Sequence, residues 1–82
     1  MEIKFPALFY KEENGYSIFF PDIDEAYTGA QTIMSGIEMA EDVLRMTLEY
    51  YNEIGKKIPI PSSIQEIKLE QNSTVVFISC VI

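Results

Sequence analysis

A chain of 82 residues makes one small domain, and 48% hydrophobic content gives it more apolar surface than such a domain buries easily. The net charge of −7, from 13 acidic and 6 basic side chains, excludes nucleic-acid binding through the average field and favours a basic partner. There is no histidine to serve as a general base, a single cysteine precludes an internal disulfide, and no apolar run nears the ~18 residues of a membrane span.

The N-terminus, Met1 to Pro6, lacks the long apolar core of a signal peptide, so a reducing, cytoplasmic setting is expected. From Ile3 to Ile23 the sequence reads as a hairpin. Ile3, Phe5, Ala7 and Phe9 alternate with Lys4, Pro6, Leu8 and Tyr10, and Tyr16, Ile18 and Phe20 alternate with Ser17 and Phe19. Aromatic and β-branched residues at a period of two mark strands. Lys11 to Gly15 predicts a loop longer than two residues, with Asn14-Gly15 supplying positive φ. Pro21-Asp22 ends the second strand. Ala26–Gln31 predicts a short third strand in which Gly29 weakens the ladder or marks a bulge.

Thr32, with Ser35 as second candidate, is an N-cap for a helix from about Ile33 to Ile54. Ile33, Ile37, Ala40, Leu44, Leu48 and Tyr51 form its core stripe, and Glu41–Arg45 is an i,i+4 ion pair. Gly36 lowers helix propensity by about 1 kcal/mol. Gly55 stands where a C′ glycine belongs, followed by Lys56-Lys57. A second stripe, Met39, Val43, Met46 and Tyr50, reads first as the flank of a wide core face and second as a contact surface. Ile58-Pro59-Ile60-Pro61 is an extended connector, and Ser62 or Ser63 caps a short turn at Ile64–Ile67. Thr74–Ile82 reads as a strand buried on both faces, and the long connection after the helix allows it to lie parallel to the first through a right-handed crossover. The expected core is Phe5, Ala7, Ile18, Phe20, Ile37, Ala40, Leu44, Leu48, Val76 and Ile78.

Few residues suggest chemistry. Asp22, Asp24 and Glu25 could hold a hard cation, but they lack the spacing and glycine of a calcium loop and read as a solvated turn. Cys80 lies in an apolar strand with no histidine to activate it. Ser62-Ser63 has no base, and no glycine-rich phosphate loop is present. No catalysis, cofactor or metal is expected.

Phe5-Pro6-Ala7-Leu8-Phe9, then Glu12 to Ile23 with its Asn-Gly-Tyr turn and Phe-Pro-Asp exit, resembles the N-terminal domain of HicB-type antitoxins. So do Gly29-Ala30-Gln31-Thr32, the helix carrying Glu38, Ala40 and Leu44, and the segment Gly55 to Ser62. The resemblance covers Ile3 to Ser62. It implies an α+β domain of order β-β-β-α-β, a partial, degenerate ribonuclease-H-like fold. It also implies a non-catalytic antitoxin that sequesters a small basic HicA-type ribonuclease, and self-association, most simply as a dimer. Many such antitoxins carry a C-terminal DNA-binding segment; the expectation for residues 1–82 is a single HicB-like domain without one, and hence no direct DNA binding. Glu12, Glu13, Tyr16, Asp22, Asp24 and Glu25 are the expected toxin contacts. Tyr10, Phe19, Val75 and Phe77 are the expected oligomer surface. The alternatives are an orphan structural or regulatory oligomer and, further off, a metal-dependent nuclease on the same scaffold.

Overall fold

The computed structural model describes residues 1–81. Its elements are β1 (Glu2–Glu12), β2 (Gly15–Phe20), β3 (Ile23–Ala30), α1 (Ile33–Ile54), a 3₁₀ turn at Ile64–Glu66, and β4 (Ser73–Val81). One four-stranded sheet runs in the order β3-β2-β1-β4, with α1 across one face. The domain is α+β, as expected.

The odd residues of β1 turn toward the helix. Phe5, Ala7 and Phe9 meet Ile18 and Phe20 of β2 and Ala40, Leu44, Leu48 and Tyr51 of α1 in one core. Ile78 and Cys80 join from β4. Ile37 and Val76, expected fully inside, are half-buried at the margin. Thr32 caps α1: its Oγ1 accepts from Ser35 N at 3.1 Å while Thr32 N donates back to Ser35 Oγ. Gly55 ends the helix at φ 72°, and Lys56 N reaches Tyr51 O at 2.8 Å.

Several expectations are corrected. Glu12 pairs directly with Gly15, so the first loop is the two residues Glu13-Asn14, and Gly15 alone supplies the positive φ. The bulge in β3 is not at Gly29. Phe19 pairs with Tyr27 but Phe20 pairs with Ile23, so Asp24, Glu25 and Ala26 loop out of register. That kink carries the acidic residues outward while returning Ala26 to the core. Arg45 pairs with Asp42 at 3.6 Å rather than with Glu41. In the second helical stripe Val43 packs on the core, but Met39, Met46 and Tyr50 are exposed, because the helix's buried arc is centred on Ala40, Leu44 and Tyr51.

The largest correction concerns β4, which is antiparallel to β1, pairing Glu2 with Val81 through Tyr10 with Ser73. The connector explains this. Ser62 is tied to Asp22 at one end of the sheet, while Asn72 O accepts from Lys11 N at the other. The chain therefore travels the length of the sheet before β4 begins, so the crossover rule for parallel strands does not apply. Nor is β4 buried on both sides: it is an edge strand, and Thr74, Phe77 and Val81 are exposed. Ile82 lies outside the described residues.

Pro6 needs no bulge. The Lys11–Asn72 bond fixes the alternation of the β1–β4 ladder, so odd residues of β1 bond to β4 and even residues face β2. Pro6 therefore directs its ring nitrogen toward β2, whose ladder with β1 begins only at Leu8–Phe19. No rung is lost there.

Candidate functional site

The six residues expected to meet a partner fall at two ends of the sheet. Glu12, Glu13 and Tyr16 surround the β1–β2 turn; Asp22, Asp24 and Glu25 surround the β2–β3 turn. β2 runs from one group to the other over six residues, about 20 Å in extended chain.

At the first end, β1 and β2 close around Glu13-Asn14. Ser17 Oγ donates to Glu12 Oε1 at 2.6 Å, which fixes that carboxylate beside the turn. Tyr16 lies half-buried on the helix side of the sheet. Its ring is tilted against Phe9 at 6.3 Å between centroids, and Lys11 Nζ sits 4.9 Å from its centre. A shallow depression of about 470 Å³ runs along the turn, lined by Glu12, Glu13, Asn14, Gly15, Tyr16 and Ala30 among others. This end offers an acidic rim beside an anchored aromatic.

At the second end the carboxylates have structural tasks. Asp22 accepts from Ser62 N at 2.8 Å and from Ser62 Oγ at 2.5 Å, pinning the connector to this end of the sheet. Glu25 accepts from the Tyr51 hydroxyl and, at 3.2 Å, from Lys56 Nζ, tying the end of α1 to the β3 bulge. Lys56 also lies 4.4 Å over the Tyr51 ring. The Tyr51 hydrogen bond, with backbone and Lys56 contacts, lowers the Glu25 pKa. Burial, reinforced by the bond to Glu25, raises that of Tyr51, and the bond to Glu25 raises that of Lys56. Asp24 is exposed. Sequence reading missed both links because their partners lie 40 and 26 residues away. Among the described residues no group of three His, Cys, Asp or Glu side chains is placed to hold a metal ion. Burial raises the Cys80 thiol pKa, which disfavours the thiolate that a catalytic nucleophile needs.

The face of the sheet away from α1 is apolar. Tyr10, Phe19 and Tyr27 form a row, with centroids 5.8 Å and 6.4 Å apart. Leu8 pairs with both Phe19 and Val75, and Pro6 with Phe77. Tyr10, Phe19, Val75 and Phe77 thus share one face; Phe19, Tyr27 and Phe77 are 46%, 64% and 43% exposed. Tyr27 was not among the residues expected there, because the β3 bulge sets its facing.

Residues 4–76 match the family of HicB-like antitoxins of bacterial toxin–antitoxin systems. The chain belongs to that family. Among curated proteins it is 37% identical over 68 residues to Antitoxin HicB 2 of Photorhabdus laumondii, covering 83% of this chain and 49% of that one. To Antitoxin HicB of Escherichia coli K12 it is 40% identical over 50 residues, covering 61% of this chain and 36% of that one. It therefore spans about half or less of the length of these curated HicB relatives. A toxin–antitoxin complex from Streptococcus pneumoniae contains the same fold, with a TM-score of 0.87 at 23% identity over 99% of this chain and 70% of that one. So does the N-terminal domain of Burkholderia pseudomallei antitoxin HicB, with a TM-score of 0.79 at 18% identity over 93% and 95%. No described helix is long and apolar enough to cross a membrane.

Proposed function

We propose that this HicB-like domain is the toxin-binding part of an antitoxin, docking a small basic HicA-type ribonuclease and inhibiting it without catalysis of its own. The family match over residues 4–76 carries this reading. A HicA3 and HicB3 toxin–antitoxin complex has the same fold, with a TM-score of 0.74 at 19% identity over 96% of this chain and 99% of that one. The charge of −7 supports a basic partner, since complementary fields speed encounter, and it disfavours direct DNA contact by these residues.

Glu12, Glu13 and Tyr16 are our assigned contacts, with Asp24 a lesser one; Asp22 and Glu25 are occupied by Ser62, Tyr51 and Lys56 and act by shaping the second end. The β-β-β-α-β order is read as a degenerate ribonuclease-H-like scaffold. A nuclease would need carboxylates converging on a metal, whereas Asp22 and Glu25 bond to separate elements. Self-association as a dimer is part of the same reading, motivated by the apolar outer face of Tyr10, Phe19, Val75 and Phe77, as is a cytoplasmic setting for a chain with one unpaired cysteine.

The test is stopped-flow binding to a small basic HicA-type ribonuclease, across a salt series, with RNA cleavage as readout of inhibition. Charge reversal at Glu12 and Glu13 should slow association and flatten its salt dependence, as rim charges do. Tyr16→Ala should speed dissociation, at a cost of about 1–3 kcal/mol for a buried anchor. An association rate indifferent to salt removes the electrostatic argument; no binding at micromolar concentration removes the function.

A further inference from the structure

The two edges of the sheet are unlike. β3 is blunted by the looped-out Asp24-Glu25-Ala26, by two exposed carboxylates and by Gly29. These devices keep an edge from pairing with another chain. β4 has none of them. Ser73–Val81 is nine residues long, with no charge, proline or glycine, and its register with β1 is unbroken. The ladder alternation settled by Lys11 N and Asn72 O shows which groups face outward: the even residues of β4 bond to β1, so the N–H and C=O of Val75, Phe77 and Ser79 point away from the sheet. No strand among the described residues takes them. Beside this edge the helix covers β4 incompletely. Val76 is only half-buried, and a half-open groove of about 490 Å³ separates Arg45, Leu48 and Asn52 of α1 from Cys80 and Val81.

We infer that the β4 edge pairs antiparallel with β4 of a second copy, joining two sheets into one of eight strands about a two-fold axis at Phe77. This inference rests on the self-association proposed above and moves its contact from the apolar outer face to the β4 edge. A two-fold interface must be self-complementary, which a strand meeting itself antiparallel always is. The outward groups fix the pairs. Phe77 faces Phe77 of the second copy, and Val75 faces its Ser79, giving three hydrogen-bonded pairs and about six bonds. Val76 faces the second copy's Ile78, and Thr74 its Cys80, in the closer pairs on the helix side. For two chains that each carry −7, an uncharged strand is the stretch where approach costs least. The inward side chains of the added strand, Thr74 and Val76, lie toward the groove that α1 leaves open.

The experiment has two arms. Phe77→Pro deletes the N–H at the axis and leaves the β1–β4 ladder intact, because that N–H points outward. Circular dichroism checks the fold, and sedimentation equilibrium should show the dimer dissociation constant raised by about 25-fold, roughly fivefold for each of the two bonds lost. Independently, Thr74→Cys creates a thiol opposite the second copy's Cys80. Within one chain these positions are about 20 Å apart along the strand, far beyond disulfide reach, so a bond between them must join two copies. Mild oxidation should give a covalent dimer, and Thr74→Cys/Cys80→Ser should not. Wild-type protein that remains monomeric at high micromolar concentration removes self-association and this inference together. A dimer that is indifferent to Phe77→Pro and forms no 74–80 link overturns the edge pairing while leaving the dimer to the outer face. A Phe77→Pro variant impaired only in toxin binding assigns the edge to the toxin and overturns the inference equally.

Discussion

Gly36 puts helix propensity and tertiary packing in direct opposition. It lies in the first turns of α1 and is buried, facing Phe9 and Ile18. A methyl group there would stand 2.7 Å from Phe9 Cε2 and 3.0 Å from Ile18 Cδ1. Both neighbours are fully buried, so neither can swing into solvent. Propensity alone predicts that Gly36→Ala stabilises the domain by about 1 kcal/mol. Overpacking a filled core costs about 1–3 kcal/mol, and the contact with an immobile ring places this case near 2. The expected balance is a loss of about 1 kcal/mol, which lowers Tm by about 4–8 °C for a domain of this size. Thermal melts followed by circular dichroism, with urea titrations, measure it. Ile18→Val removes the Cδ1 atom, so Gly36→Ala should cost less in that background. An unchanged or higher Tm for Gly36→Ala would refute the packing argument and leave propensity in charge.

Asp22→Ala should release the connector from the sheet. The loss of two hydrogen bonds to a carboxylate predicts about 1–2 kcal/mol of destabilisation, with faster proteolysis between Lys56 and Asn72, and cleavage rates equal to wild type would count against it. The Tyr51–Glu25–Lys56 link should be sensitive to pH at both extremes. The Glu25 pKa is lowered by folding, so its contribution is present above the ordinary value of 4.5 and is lost as pH falls through the folded value. The Lys56 pKa is raised, so its contribution is full below 10.5 and is lost as pH rises through the folded value. Glu25→Gln should reduce the acid-side slope of a stability–pH curve, and an unchanged slope would show that the link contributes nothing.

The sequence by itself determined the local structure. Alternation in Ile3–Phe20 is a property of neighbouring residues, and so are the Thr32 cap, the Ala40–Leu44–Leu48 stripe and the Gly55 stop; β1, β2 and α1 follow within a residue or two. The resemblance carried by the Asn-Gly-Tyr turn and the Phe-Pro-Asp exit pointed to the family that the match over residues 4–76 shows. Tertiary structure decided what depends on distant partners. Asp22 and Glu25 look like a solvated acidic turn until Ser62, Tyr51 and Lys56 arrive from beyond the helix. Gly36 looks like a weak helix position until Phe9 and Ile18 fill the space beside it. The direction of β4 hangs on where an extended connector delivers the chain, and composition carries no trace of that. Its uniform apolar run reads as a buried strand, yet β4 lies at an edge, because residue type records the demand for cover and only the fold shows whether the same chain supplies it.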